Sequence, residues 1–237
     1  MALPKLAVPT HSLKLPSTGE KIKYRPYLVK EEKMLMMAME SESESEMISA
    51  VKNIIESCTD GTLTEKNITM FDLEYLFTNL RAKSVGETSA VMISCQSCEE
   101  KNETFVDLST SYVSGLPESE KAYIVDLNEE MKVKLQYPSV EKVLSFLDEE
   151  GISDIDLAYK AIVSSIKEIY SGDEIYDVSE ESDEEILEFV NSMNTKQFET
   201  IREFIEKGPQ VTIDHEFDCA KCQHKNEIKL TGINNFF

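Results

Sequence analysis

Apolar and polar positions change period along the chain, and each change predicts an element. Residues 1–10 carry Pro4 and Pro9 and read as an extended arm. Residues 12–15 and 20–25 alternate on either side of Pro16-Ser-Thr-Gly19, the signature of a hairpin. Residues 27–39 switch to helical spacing, with Leu28, Leu35, Met36 and Met39 available to one face. Residues 40–46 alternate Glu and Ser, and a segment with so little to bury predicts a solvated linker. Met47, Ile48, Val51, Ile54 and Ile55 predict a second helix, ended by Gly61. Thr69 can cap a third, from about residue 71 to 83, with Leu73, Leu76, Phe77 and Leu80 in one stripe.

Strand-like residues 89–94 follow, and residues 103–108 resemble them. Residues 123–127 and 131–137, joined through 128–130, predict another hairpin. From Pro138 the period is helical. Ser139 can cap a helix to about residue 149, and Ser153 or Asp154 can start a longer one burying Leu157, Ala161, Ile162, Ser165, Ile166 and Ile169. Residues 173–188 hold nine acidic residues and no basic one, which predicts a solvated loop and the start of the next helix. A fourth helix over 193–207 stops at Gly208-Pro209. Residues 210–217 and 226–231 are strand-like, and the chain ends on residues 233–237.

The strand pairs enclose the candidate chemistry. Cys95-Gln-Ser-Cys98 and Cys219-Ala-Lys-Cys222 are both C-x-x-C, and each is followed two residues later by Lys-Asn-Glu. One strand–knuckle–strand unit is thus written twice. Two knuckles offer four soft thiolates, the ligand set of a closed tetrahedral zinc site. About 120 residues separate them, far more than the roughly 15–20 of an ordinary zinc ribbon. Because loop closure grows only logarithmically, a folded insertion is tolerable if its ends lie close together. His215 and His224 lie near the second knuckle and are alternative ligands. A redox role for the C-x-x-C pairs is the lesser reading, because redox motifs sit at strand-to-helix junctions. Cys58, alone near a helix end, reads as a small buried apolar residue.

Composition narrows the function. The 237 residues include 45 acidic and 24 basic ones, a net charge of −21. That charge argues against binding nucleic acid or anionic membrane. It favours solubility or a basic partner. No apolar run is long enough to span a bilayer, and the proline-broken N-terminus does not read as a secretory signal. Five cysteines in such a chain suggest reduced thiols. There is no Ser-His-Asp arrangement, H-E-x-x-H or phosphate loop, and four thiolates leave zinc no open position for hydrolysis, so no catalytic or cofactor-binding residues are assigned. Met34, Met36, Met37 and Met39 form a cluster for which core packing is expected ahead of a partner-facing role.

Residues 15–33, Leu-Pro-Ser-Thr-Gly-Glu-Lys-Ile-Lys-Tyr-Arg-Pro-Tyr-Leu-Val-Lys-Glu-Glu-Lys, resemble a family of T-even-type bacteriophage baseplate hub assembly proteins. So do residues 72–86, Asp-Leu-Glu-Tyr-Leu-Phe-Thr-Asn-Leu-Arg-Ala-Lys-Ser-Val-Gly. The strong part covers about residues 10–110. The resemblance implies a non-enzymatic protein of tail morphogenesis, an assembly factor or minor component of the baseplate hub. Its partners would be other phage hub or tail proteins. Its location would be host cytoplasm during assembly, with the virion tail baseplate as a second place.

The expected fold is α+β: an N-terminal β-hairpin and helices, then a split four-cysteine zinc ribbon with a hairpin plus helical-bundle insertion. The divisions expected are 1–110 ending in the first knuckle, 111–208 as the insertion, and 209–237 completing the ribbon. The expected metal ligands are Cys95, Cys98, Cys219 and Cys222, holding structural zinc. A zinc-ribbon regulator of host or phage transcription machinery is the alternative function.

Overall fold

A computed structural model describes residues 6–41, 43–63, 68–149 and 151–232. The fold is mixed α+β. The chain forms two compact units, one built from residues 1–114 and 209–237, the other from 115–208.

The first unit begins with the hairpin that the alternation predicts. Strands β1 (His11–Lys14) and β2 (Lys21–Tyr24) pair antiparallel, His11 opposite Tyr24 and Lys14 opposite Lys21. Gly19, at φ +70°, supplies the left-handed turn residue between them. Ile22 and Tyr24 point inward and are buried. Helices α1 (Val29–Glu40), α2 (Glu44–Cys58) and α3 (Met70–Ser84) follow. Ile48, Val51, Ile54 and Ile55 of α2 and Leu73, Leu76, Phe77 and Leu80 of α3 are buried, as their spacing predicts. Cys58 is buried as well. Thr69 caps α3, accepting from the Asp72 amide while the Asp72 carboxylate accepts from Thr69.

Helix α1 departs from expectation. Its inward positions are Glu31, half-buried Leu35 and Ala38, while Leu28, Met34, Met36, Met37 and Met39 are exposed. An ion pair, rather than apolar content, sets the rotation of this helix. Arg25 Nη2 donates to Glu31 Oε1 at 2.9 Å, and Ser57 Oγ donates to the same oxygen at 2.9 Å. The Leu28 amide donates to Glu31 Oε2 at 2.9 Å, and Lys30 Nζ lies 3.1 Å from Oε1. Arg25 also donates to the Ser57 carbonyl, so it covers the negative end of α2. The expected linker over residues 40–46 contracts in the same way. Glu40 closes α1, Ser43 caps α2 by accepting from the Glu46 amide, and Glu44 and Glu46 fall in the first turn of α2, where carboxylates are favoured. Glu42 of that stretch lies outside the described residues.

Strands β3 (Thr88–Ser94) and β4 (Lys101–Asp107) then form a hairpin, with Thr88 opposite Asp107 and Ser94 opposite Lys101. A short strand not foreseen from the sequence, β5 (Tyr112–Ser114), leads to the second unit.

In the second unit the predicted hairpin, β6 (Ile124–Asp126) and β7 (Met131–Leu135), carries two further strands. Helix α4 (Val140–Leu147), capped by Ser139, and helix α5 (Asp154–Ser165) come next. The long helix expected through Ile169 stops at Ser165. Residues 166–171 form β8 (Ile166–Ser171), which pairs with β7, and Gly172 at φ +59° turns the chain into β9 (Glu174–Asp177). Ile162 and Ile166 are both buried, one at the end of a helix and one at the start of a strand. Their spacing mimics helical continuation, while Ile166, Ile169 and Tyr170 favour a strand. The acidic stretch therefore starts as an edge strand before entering α6 (Asp183–Asn191), which Ser182 and Glu185 cap reciprocally. Helix α7 (Thr195–Glu206) closes the unit. Val133, Leu135, Ile162, Ile166, Ile186, Val190 and Ile201 form its core between sheet and helices. Entry and exit lie side by side: a Cβ on Gly115, itself at φ +75°, would sit 3.2 Å from the Gly208 carbonyl oxygen.

Strands β10 (Gln210–Asp218) and β11 (Lys225–Thr231) return to the first unit and pair with each other, Asp218 opposite Lys225. Strand β10 also pairs with β5, Gln210 opposite Ser114. Val211 and Ile213 of β10 join Val106, Leu108 and Ala82 in a buried cluster that attaches this hairpin to β4 and α3.

Two carboxylates give the first unit opposite responses to pH. Burial would raise Glu31, but hydrogen bonds from Arg25, the Leu28 amide, Lys30 and Ser57 prevail and hold it at about 2. That is below an unfolded value of about 4.3, so its contribution is complete above about pH 4.3 and is lost as pH falls toward 2. Burial pushes Glu74 up to about 7, so the folded chain keeps a proton that the unfolded chain loses, and stability falls as pH rises from about 4.3 to 7. Glu31→Gln is expected to lower stability by about 3 kcal/mol at neutral pH, because it leaves Arg25 without its charged partner. Glu74→Gln is expected to raise stability on the order of 2 kcal/mol at pH 8 and to have little effect at pH 4. Urea unfolding of both variants at the two pH values checks the signs.

Candidate metal centre

Each knuckle is a tight turn between two strands. The Cys95 amide donates to the Glu100 carbonyl at 2.8 Å, and the Glu99 amide donates to the Cys95 carbonyl at 2.9 Å. In the second knuckle the Cys219 amide donates to the His224 carbonyl at 3.0 Å and the Gln223 amide to the Cys219 carbonyl at 2.9 Å. Glu99 and Gln223 occupy the same place after the second cysteine and take nearly the same left-handed conformation, φ +59° and +58°. The turn brings the amide of Ser97 to within 3.4 Å of Cys95 Sγ. Amides pointing at sulfur stabilise thiolate rather than thiol.

The two knuckles face each other. All four sulfurs lie within 4.8 Å of one another. Cys95 Sγ is 3.7 Å from Cys222 Sγ, and Cys98 Sγ is 3.7 Å from Cys219 Sγ. A metal–sulfur bond of about 2.3 Å at the centre of a tetrahedron requires sulfurs about 3.8 Å apart. The donor set and its spacing therefore fit a four-coordinate metal ion, and the separations are well beyond a disulfide bond. Cys95 and Cys219 are buried, Cys98 is half-buried, and Cys222 is exposed.

The electrostatics give the same picture. The Cys222 and Lys221 amides hold the Cys219 thiol well below the ordinary thiol range, at about 6. The Glu100 amide stabilises the Cys98 thiolate, but the neighbouring Cys222 and Cys219 thiols outweigh it and push Cys98 up to about 12. Four thiols this close cannot all ionise beside one another. A cation among them removes that conflict.

Sequence reasoning did not assign the residues that lock the knuckles together. Asn102 Oδ1 accepts from the Ala220 amide of the opposite knuckle at 2.9 Å, while its Nδ2 donates to the Glu100 carbonyl in its own at 2.7 Å. Asn226 repeats this, accepting from the Gln96 amide at 2.8 Å and donating to the His224 carbonyl at 3.0 Å. Both asparagines are buried. Each stands four residues after the second cysteine of its knuckle, so the repeated Lys-Asn-Glu is the available signal. Lys221 Nζ adds an ion pair to Glu100 Oε2 at 2.8 Å across the same seam. Neither nearby histidine belongs to the thiol group among the described residues. His215 Nε2 instead bonds Thr104 Oγ1 at 2.8 Å, tying β10 to β4, and burial lowers its pKa. His224 contributes its carbonyl to the knuckle.

A family model described as T4 bacteriophage base plate protein matches residues 8–237. The chain belongs to that family. No curated protein and no solved structure matches it. The baseplate match takes in both knuckles and the whole segment between them, well beyond the N-terminal strings that carry the resemblance. No helix among the described residues is long and apolar enough to cross a membrane.

Asn226→Ala would strand the Gln96 amide and remove a donor from the His224 carbonyl at a fully buried position, a loss of about 1–3 kcal/mol. Because such outer partners orient metal ligands, Asn102→Ala and Asn226→Ala are each expected to weaken metal binding about 10- to 100-fold. Competition against a chromophoric chelator measures it, and equal affinities in wild type and both variants would refute this role.

Proposed function

We propose that this baseplate-family protein is a non-enzymatic morphogenesis factor or minor component of the phage baseplate hub, held together by structural zinc at Cys95, Cys98, Cys219 and Cys222. The observation that carries the zinc reading is the convergence of four sulfurs from two reciprocally locked knuckles at tetrahedral spacing. Tetrahedral all-sulfur sites suit zinc or iron, and closed sets of this kind are characteristic of structural zinc. Asn102 and Asn226 would orient the knuckles, and the amides around Cys95, Cys98 and Cys219 would stabilise their thiolates. With every position filled by protein sulfur, the ion would have no place for a reacting water.

Hub assembly is the reading supported by membership of the baseplate family together with the resemblance at residues 15–33 and 72–86. Partners would be other hub or tail proteins. The protein would act in the host cytoplasm during assembly and could be carried into the virion tail. The net charge of −21 favours a basic protein partner over nucleic acid or anionic lipid.

Cys95→Ser and Cys222→Ser are expected to lose the metal and to unfold the first unit, because metal binding can contribute on the order of 10 kcal/mol to folding. Native mass spectrometry of protein from infected cells should show one zinc per chain and a bound hub or tail protein. Equal melting temperatures with and without chelator would end the zinc reading, and normal infectious tails in the absence of the protein would end the assembly reading.

A further inference from the structure

The β1–β2 hairpin carries the opposite charge from the chain as a whole. Residues 11–25 hold four basic residues and one acidic one, against 24 and 45 in the full sequence. Ile22 and Tyr24 fill its inner face, while Ser12, Lys14, Lys21 and Lys23 share its outer face and are all exposed. The register sets Lys14 directly opposite Lys21 and Ser12 opposite Lys23. Like charges placed opposite each other destabilise a strand pair. Among the described residues no carboxylate pairs with Lys14, Lys21 or Lys23. A cavity of about 780 Å³ reaches this face, with Thr10, Ser12, Lys21, Lys23, Arg25 and Asp60 in its wall. The Thr10 and Ser12 hydroxyls make no hydrogen bond among the described residues. Arg25 is committed to Glu31, and Asp60 lies close enough to Arg25 to favour its charged form. The wall's one carboxylate therefore acts at the Arg25 end, and the Lys21–Lys23 end stays positive.

We propose that this face binds an extended acidic segment of a partner protein, one with Asp or Glu at alternate positions. Lys21 and Lys23 stand two residues apart on one strand, an interval of about 6.7 Å. An extended peptide repeats its side chains at the same interval, so carboxylates at i and i+2 meet the two lysines in register. Lys14, across the strand pair, brings a second ammonium to the carboxylate at Lys21, and an anion there turns their repulsion into attraction. The unused hydroxyls supply hydrogen-bond donors beside Lys23. A single phosphate cannot match this spacing. A long polyanion would meet the net charge of −21 beyond the hairpin, whereas a short segment stays within the field of the three lysines, since exposed charges are screened over about 8 Å at physiological salt. None of these residues belongs to the metal centre, and the test below depends on neither zinc nor hub assembly.

The full chain is titrated with labelled peptides and followed by fluorescence anisotropy. One peptide alternates Glu and Thr, a second carries the same number of Glu at every third position, and a third alternates Gln and Thr. The alternating Glu peptide should bind at least about fivefold tighter than the second and lose its affinity steeply with salt, and the Gln peptide should not bind. The triple variant Lys14→Gln, Lys21→Gln, Lys23→Gln should lose about tenfold in affinity, the combined effect of three exposed ion pairs, without a fall in melting temperature. Arg at the same three positions should retain binding. Lys33→Gln with Lys196→Gln, two exposed lysines elsewhere, should leave it unchanged. Undiminished binding to the triple variant, equal binding of the third-position peptide, or an equal loss in the Lys33/Lys196 variant would overturn the proposal. So would displacement by inorganic phosphate at concentrations equal to the peptide's, or tighter binding of a single-stranded oligonucleotide of the same charge.

Discussion

The first unit depends on closure of a seam between two hairpins that lie far apart in the chain. Nothing local holds β3–β4 to β10–β11. They belong to separate sheets, and the second unit intervenes between them in sequence. What joins them is a buried apolar cluster at one end, Val106 and Leu108 against Val211 and Ile213, and the knuckles at the other. Between these, Thr104 and His215 bridge the strands. Closing so large a loop is opposed by chain entropy that rises only slowly with length, so a few well-placed non-local contacts suffice. The side-by-side placement of Gly115 and Gly208 meets the remaining condition, that the intervening segment start and finish at one place.

The asparagine exchange explains why the knuckles are copies. Each turn leaves amides that its own strands cannot satisfy, and each supplies an Asn whose carbonyl oxygen reaches the other turn. A single knuckle cannot satisfy this arrangement; two facing each other satisfy it reciprocally. The repeated Lys-Asn-Glu makes the repetition legible, yet the role of its Asn is not. The bond partners are backbone amides of the opposite knuckle, more than one hundred residues away, and sequence spacing carries no information about them. The four cysteines are legible because C-x-x-C encodes its turn locally.

The same distinction separates the elements that match expectation from those that do not. The stripes of α2 and α3 are readable because their burial comes from apolar side chains at one period. Helix α1 defeats the pattern because a carboxylate, not a methionine, takes its inward position, and the reason lies in Arg25 and Ser57 on other elements. Strand β8 reads as helix because Ile162 and Ile166 satisfy both periods, and only pairing with β7 decides between them. Strand β5 has three residues and gains its identity from β10 alone. In each case a non-local partner outweighs a local pattern.

Charge also constrains what the seam can hold. Four thiolates around a divalent ion would leave a net charge of −2 at a site inside a chain that already carries −21. Such a centre needs compensation nearby. The amides of Ser97, Lys221 and Cys222 supply partial positive charge directly at sulfur. Lys221 is already paired with Glu100 at 2.8 Å, so the two together add no net charge beside the sulfurs, and Cys98 and Cys219 favour its protonated form only after Glu100 does. The Lys221–Glu100 bridge ties the two turns across the seam. Exposed ion pairs contribute little by themselves. This one bridges the two turns, and the compensation at sulfur comes from the amides.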